Sequence, residues 1–286
     1  MSKNDPFFQP VSAMDLARFA GVPSFMRLPV VPTDHPRFTD VDIGILGVPW
    51  DGGTTNRAGA RHEPRQLRDL SAMVRAMNPA TQVAPFETVN CAELGDVPPN
   101  PIDIDDSLSR ISDFARLLKS QNIAPITAGR DHLITLPILR AFSGDGPVGL
   151  IQFDSHTDLF DSYFGGQKFT HGTSFRRAVE EGLVDPQRFV QIGIRGAAYN
   201  LEDIHWGLEQ GIRIIRIEEL FDRGIAHVMA EVCEIVGDKP TYCSYAIDFV
   251  DPTFAPGTGT PEPGGYLWSD FAALVAVLQR RGVQSE

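Results

Sequence analysis

From about residue 40 onward, short and almost wholly apolar segments alternate with helix-patterned ones, and this limits the chain to a narrow class of folds. The apolar runs are VDIGILGV (41–48), ETVNCAELGDV (87–97), IAPITAG (123–129), PVGLIQFDSH (147–156), FVQIGIR (189–195), IRIIRI (212–217) and TYCSYAIDFV (241–250). Helical spacing covers 62–77, 105–121, 133–142, 175–183, 201–210, 217–236 and 268–282, with Leu67, Leu70 and Val74 as the apolar stripe of the first. Strands apolar on both sides need cover on both faces, which predicts an α/β fold with a mainly parallel sheet. Ligands of such sheets bind at the carboxyl ends of the strands. Residues 1–40, punctuated by Pro6, Pro10, Pro23, Pro29, Pro32 and Pro36, read as an arm lying over the protein's own core or a neighbour, ahead of one domain spanning 41–286.

Charge and cysteine content exclude several classes of function. The formal net charge is −12. No Lys/Arg run offsets it, so nucleic acid and anionic membrane are not expected partners. Cys91, Cys233 and Cys243 are odd in number and form no CxxC, which fits a reducing compartment. The first residues contain no apolar signal core, and no stretch of 18 apolar residues occurs, so a cytoplasmic location is expected.

The sharpest chemical signal is FDSHTD, in which Asp154, His156 and Asp158 recur at every second position. If the chain stays extended there, the three side chains project to one side of the strand end, as a hard or borderline divalent ion requires. By itself the string also admits a solvated loop whose polar residues alternate by accident. Two further segments favour the metal: His132 follows the apolar run 123–129, and Asp248 lies near the end of 241–250. Carboxylates gathered at buried strand ends are costly without a cation to neutralise them.

The segments GVPWDGGTTNRAGAR (47–61), ELGDV (93–97), GRDH (129–132), DSHTD (154–158), HGTSFRRA (171–178) and SYAIDFVDPTFAPGTGTPEPGG (244–265) resemble, in order, those of the ureohydrolase family of arginases, agmatinases and guanidinobutyrases. The resemblance implies a three-layer α/β/α sandwich and a centre of two divalent ions, Mn2+ or Ni2+, acting on a small guanidino substrate. It assigns His132, Asp154 and Asp158 to one metal and Asp154, His156 and Asp248 to the other, with Asp154 shared. It gives His171 the family's proton-transfer position.

The chain departs from the family where the chemistry is densest. The family's S-x-D-x-D reads Ser244-Tyr245-Ala246-Ile247-Asp248, so a methyl group replaces a carboxylate that contacts both metals. Arg130 and Glu63 stand where the family has glycines. The family's guanidinium-gripping glutamate lies in a strand beyond the predicted helix 268–282, so a C-terminally shortened fold with no residue for that role is expected. Together these departures predict an impaired subunit with an idle His171 and doubtful metal occupancy. Such a subunit would support an active paralogue in a trimer or hexamer, as in the heteromeric nickel-dependent metformin hydrolases. The alternative is an enzyme active in its own right on a guanidino compound, using five ligands and water.

Overall fold

The structure is a computed structural model that describes residues 5–79 and 81–267; the predicted helix 268–282 lies outside them. The chain divides into two compact units, Met1–Asp51 with Gly59–Arg130, and Gly52–Ala58 with Asp131–Glu286.

In the first unit β1 (Ile43–Gly47) lies between β2 (Cys91–Asp96) and β3 (Ala124–Ala128), all parallel. The helix α2 (Ile104–Ser120) buries Leu108, Ile111, Ala115 and Leu118, one face at helical spacing. Its start is fixed by Asp103, whose side chain accepts the Asp106 N–H.

The helix α1 (Glu63–Ser71) contradicts the expected stripe, because Leu67, Leu70 and Val74 are 36%, 60% and 52% exposed. The helix ends before Val74, and its inner face is instead polar. Arg68 pairs with the buried Glu93 at 2.6 Å and with Asp96 at 2.7 Å, its guanidinium 4.5 Å from the Phe25 ring centre. An unpaired Glu93 would cost more than exposing two leucines, so the ion pair sets the helix rotation.

The two glycine replacements are electrostatic neighbours within this unit. Burial pushes the Glu63 carboxyl up to about 7, against the opposing charge of Arg130. A carboxyl raised in the folded state contributes stability that is complete below its unfolded value near 4.5 and is lost as pH rises through about 7. The wild-type chain is therefore expected to lose up to about 3 kcal/mol across that window. Glu63→Gln should lack this component, which urea titrations at pH 4.5 and pH 8 would read; identical pH profiles would contradict it.

In the second unit the strand order is β6 (Arg213–Arg216), β5 (Val184–Ile194), β4 (Val148–Phe153), β7 (Thr241–Tyr245), again all parallel. Around it run α3 (Thr135–Phe142), α4 (Ser174–Glu180), α5 (Glu202–Gln210), α6 (Ile217–Arg223) and α7 (Ile225–Val236). Ile151, Phe153, Val190 and Ile192 of the sheet share one core with Val228, Met229, Val232 and Val236 of α7. The single helix expected over 217–236 is two, broken at Gly224, whose φ of 74° leaves the helical region. Most strands are shorter than expected, and two of them matter for the centre. β4 stops at Phe153 and β7 at Tyr245, so Asp154–Asp158 and Asp248 lie on bends beyond the sheet. Among the described residues no helix is long and apolar enough to cross a membrane.

Candidate metal centre

Five side chains predicted as ligands meet in the second unit, in two overlapping groups. His132, Asp154 and Asp158 form one and Asp154, His156 and Asp248 the other; within each group the ligand atoms lie within 4.8 Å of one another. Asp154 is common to both. Its Oδ2 faces His132 Nδ1 at 3.0 Å, and its Oδ1 faces His156 Nδ1 at 3.6 Å. Asp158 Oδ2 lies 2.6 Å from His132 Nδ1, and Asp248 Oδ2 lies 3.2 Å from His156 Nδ1.

The local backbone explains this convergence, though not by simple strand alternation. Beyond β4 the His156 N–H turns back to Asp154 Oδ1 at 2.8 Å. Asp158 takes a left-handed conformation, φ 52°, which aspartate tolerates better than most side chains. The bend aims the Asp158 carboxylate at His132, which opens the short 3-10 turn His132–Ile134 leading into α3. On the other side, Ser244 Oγ holds His132 Nε2 at 2.6 Å, leaving Nδ1 for the carboxylates.

Ala246 lies between Ser244 and Asp248. It remains extended (φ −89°, ψ 136°), and its N–H continues the β4 ladder to Phe153 O at 2.9 Å. Period-two alternation puts its methyl group on the same face as Ser244. Residue 246 thus lies in sequence between Ser244, which touches His132, and Asp248, which touches His156.

Asp154, Asp158 and Asp248 are only 1%, 5% and 7% exposed, and the protein's own groups set unusual protonation in this small volume. Burial opposes charge on His132, but Asp158 and Asp154 outweigh it and raise its pKa well above the ordinary value. Burial likewise disfavours charge on His156, while Asp154 and Asp248 lift it to about 11. Burial works against ionisation of Asp154 too, yet His132 and His156 hold it well below the carboxylate range. Asp248 is pushed up to about 6 by burial and then by the neighbouring charge of Asp154. The carboxylates thus draw positive charge onto both imidazoles. Divalent cations would supply that charge instead, displacing the protons as they bind. Three carboxylates and two imidazoles suit Mn2+ or Ni2+, so the donor set fits such ions while lacking one shared donor.

Behind the centre lies a polar support invisible in the sequence. Gln152 and Gln191, both fully buried, interrupt the apolar strands β4 and β5. Gln152 Nε2 donates to Asp154 Oδ2 and to His156 O, both at 3.1 Å. Gln191 Nε2 donates to Gln152 Oε1 and to Thr157 O, both at 2.6 Å. The pair fixes the rotamer of the one carboxylate both groups share. Gln191→Leu should therefore weaken divalent-metal binding roughly 10- to 100-fold, as expected when support behind a ligand is removed. Calorimetric titration with Mn2+ checks this, and unchanged affinity would refute it.

His171 opens a second short turn, its N–H bonded to Gly53 O at 2.9 Å and its Nε2 2.7 Å from Thr55 Oγ1. Burial, aided by the charges of His132 and His156, holds its pKa below the ordinary value, so the ring is neutral at pH 7. A neutral, oriented imidazole at this position can accept a proton and return it.

A profile of the arginase family matches residues 41–285. Guanidinopropionase of Pseudomonas aeruginosa is 50% identical over 98% of this chain and 86% of its own length. Guanidinobutyrase of the same organism is 45% identical over 93% of this chain and 82% of its own length. Among solved structures, proclavaminate amidino hydrolase from Streptomyces clavuligerus superposes with a TM-score of 0.86 at 34% identity, covering 92% of this chain and 86% of that one. The chain has the arginase-like α/β fold of parallel sheets and helices, and by family match and relatives alike it belongs to the arginase family of ureohydrolases.

Proposed function

We propose that the chain hydrolyses a small guanidino compound, breaking a C–N bond of the guanidinium group to release urea. The observation that carries this reading is the pair of three-donor groups sharing Asp154. Similarity to a guanidinopropionase and a guanidinobutyrase supports it.

In this reading His132, Asp154 and Asp158 hold one ion and Asp154, His156 and Asp248 the other, Mn2+ or Ni2+ at each. Bound there, the ions supply Lewis acidity and lower the pKa of water toward neutrality. The chain's own groups do the rest. Asp154, locked by Gln152 and Gln191, sets the spacing of the two positions. Neutral His171, steered by Thr55, carries a proton toward the departing nitrogen, which leaves as an amine only when protonated.

A second reading is favoured by one observation: Ala246, which cannot coordinate, stands in sequence between Ser244, which contacts His132, and Asp248, which contacts His156. Each metal position would then be left with three protein donors, Asp154 being the one residue common to both. A subunit so weakened supports an active paralogue within a trimer or hexamer, the arrangement of the heteromeric metformin hydrolases.

One assay separates the two. The chain purified alone, with Mn2+ or Ni2+, is expected to release urea from 3-guanidinopropionate, 4-guanidinobutyrate or agmatine, and Asp154→Asn to abolish it. Silence alone, with urea appearing when a paralogous subunit is added and scaling with this chain, selects the second reading. Silence in both settings refutes both.

A further inference from the structure

Glu262 has no role in the centre described above, yet the fold delivers its carboxylate there. It lies in the Pro- and Gly-rich loop 255–265, which gives no periodic signal to mark it. The loop is pinned by Arg195, only 8% exposed, whose Nη2 donates to Glu262 O at 2.8 Å and to Asp248 O at 2.5 Å. Arg195 Nε reaches Pro263 O at 3.2 Å. The backbone carrying Glu262 is thus tied to the backbone of a candidate metal ligand.

Gly196 completes the placement. At φ +83° it has a conformation that side chains rarely adopt, and a Cβ there would collide with the Glu262 carboxyl group. The carboxylate fills the space that a side chain at 196 would need. His156 turns Nδ1 toward Asp154 and Asp248, while Nε2, on the far side of the ring, points to Glu262 Oε1 at 3.9 Å. That distance is too long for a hydrogen bond. The side chain is 24% exposed, and among the described residues its carboxylate accepts no hydrogen bond. A carboxylate bordering the centre on an anchored backbone, with acceptor oxygens to spare, fits a planar cation that offers paired N–H donors.

We propose that Glu262 accepts hydrogen bonds from the guanidinium group of the substrate and selects cationic over neutral, isosteric compounds. This rests on the reading of the centre as a guanidino-compound site, and it gives that reading an anchor for the substrate's charge. Glu262 acts on binding, whereas the five donors act on the metals.

The test is calorimetry on the full chain with Mn2+, titrating n-butylguanidinium and its neutral counterpart n-butylurea. Wild type should prefer the cation. Glu262→Gln should weaken n-butylguanidinium binding at least about tenfold, the usual scale for losing a hydrogen bond to a charged group. Binding of n-butylurea should change less than twofold, and Mn2+ affinity should be unaltered. Glu262→Asp should recover part of the preference. Equal cation binding by wild type and Glu262→Gln overturns the proposal alone. A fall in Mn2+ affinity with parallel losses for both probes overturns it in favour of a role in positioning His156. No binding of n-butylguanidinium by wild type overturns both the proposal and the guanidino reading beneath it.

Discussion

Replacing Ala246 with aspartate should tighten Mn2+ and Ni2+ binding by roughly a hundredfold or more, the scale of a whole ligand rather than of its support. The physical reason is position. Residue 246 stays in register with β4 through its N–H to Phe153 O, and its neighbours Ser244 and Asp248 contact one imidazole each. A carboxylate there is expected to reach both donor groups, so that both positions gain at once. The same substitution should lower the melting temperature in EDTA, because it adds a fourth buried carboxylate to Asp154, Asp158 and Asp248. It should raise the melting temperature once metal is added, by mass action. Opposite shifts in the two conditions are the signature. Equal shifts, or an affinity unmoved by Ala246→Asp, would show that the methyl group does not face the cations.

Asparagine at Asp154 should have the opposite and larger effect, weakening binding at both positions by about a thousandfold or more. Each donor group retains only two members without it. Asp158→Asn and Asp248→Asn serve as internal comparisons, because each belongs to one group only and should cost one ion while sparing much of the other. The contrast is measured as metal per chain after dialysis. Equal losses in all three variants would mean that the groups are not organised around Asp154.

How much of this was legible in the sequence depended on whether a residue announces itself by type and spacing. His132, Asp154, His156, Asp158 and Asp248 do, because ionisable residues rarely end apolar strands without a reason, and the structure gathers all five. The parallel strands were legible for a similar reason: β4, buried at all six positions, cannot be an edge facing water. Other features were hidden. Gln152 and Gln191 look like neutral interruptions of apolar strands, and only the register of β4 on β5, Gln152 opposite Gln191, makes them a pair. Glu262 sits in a turn-rich loop where no periodicity assigns a direction, so folding alone places it beside His156. The stripe Leu67, Leu70 and Val74 misled because periodicity assumes that apolar burial orients a helix, whereas Arg68 and Glu93 orient α1. The length of 217–236 misled because Gly224, tolerable within a helix, here takes φ 74° and ends one.

The arrangement as a whole stands or falls on where cations bind. A crystal of the chain grown with excess Mn2+, with data collected at the manganese absorption edge, locates them directly. Two anomalous peaks are expected on either side of Asp154, one beside His132 and Asp158 and one beside His156 and Asp248, with no protein ligand from position 246. Peaks elsewhere, or none at saturating Mn2+, would contradict a centre built on one shared carboxylate.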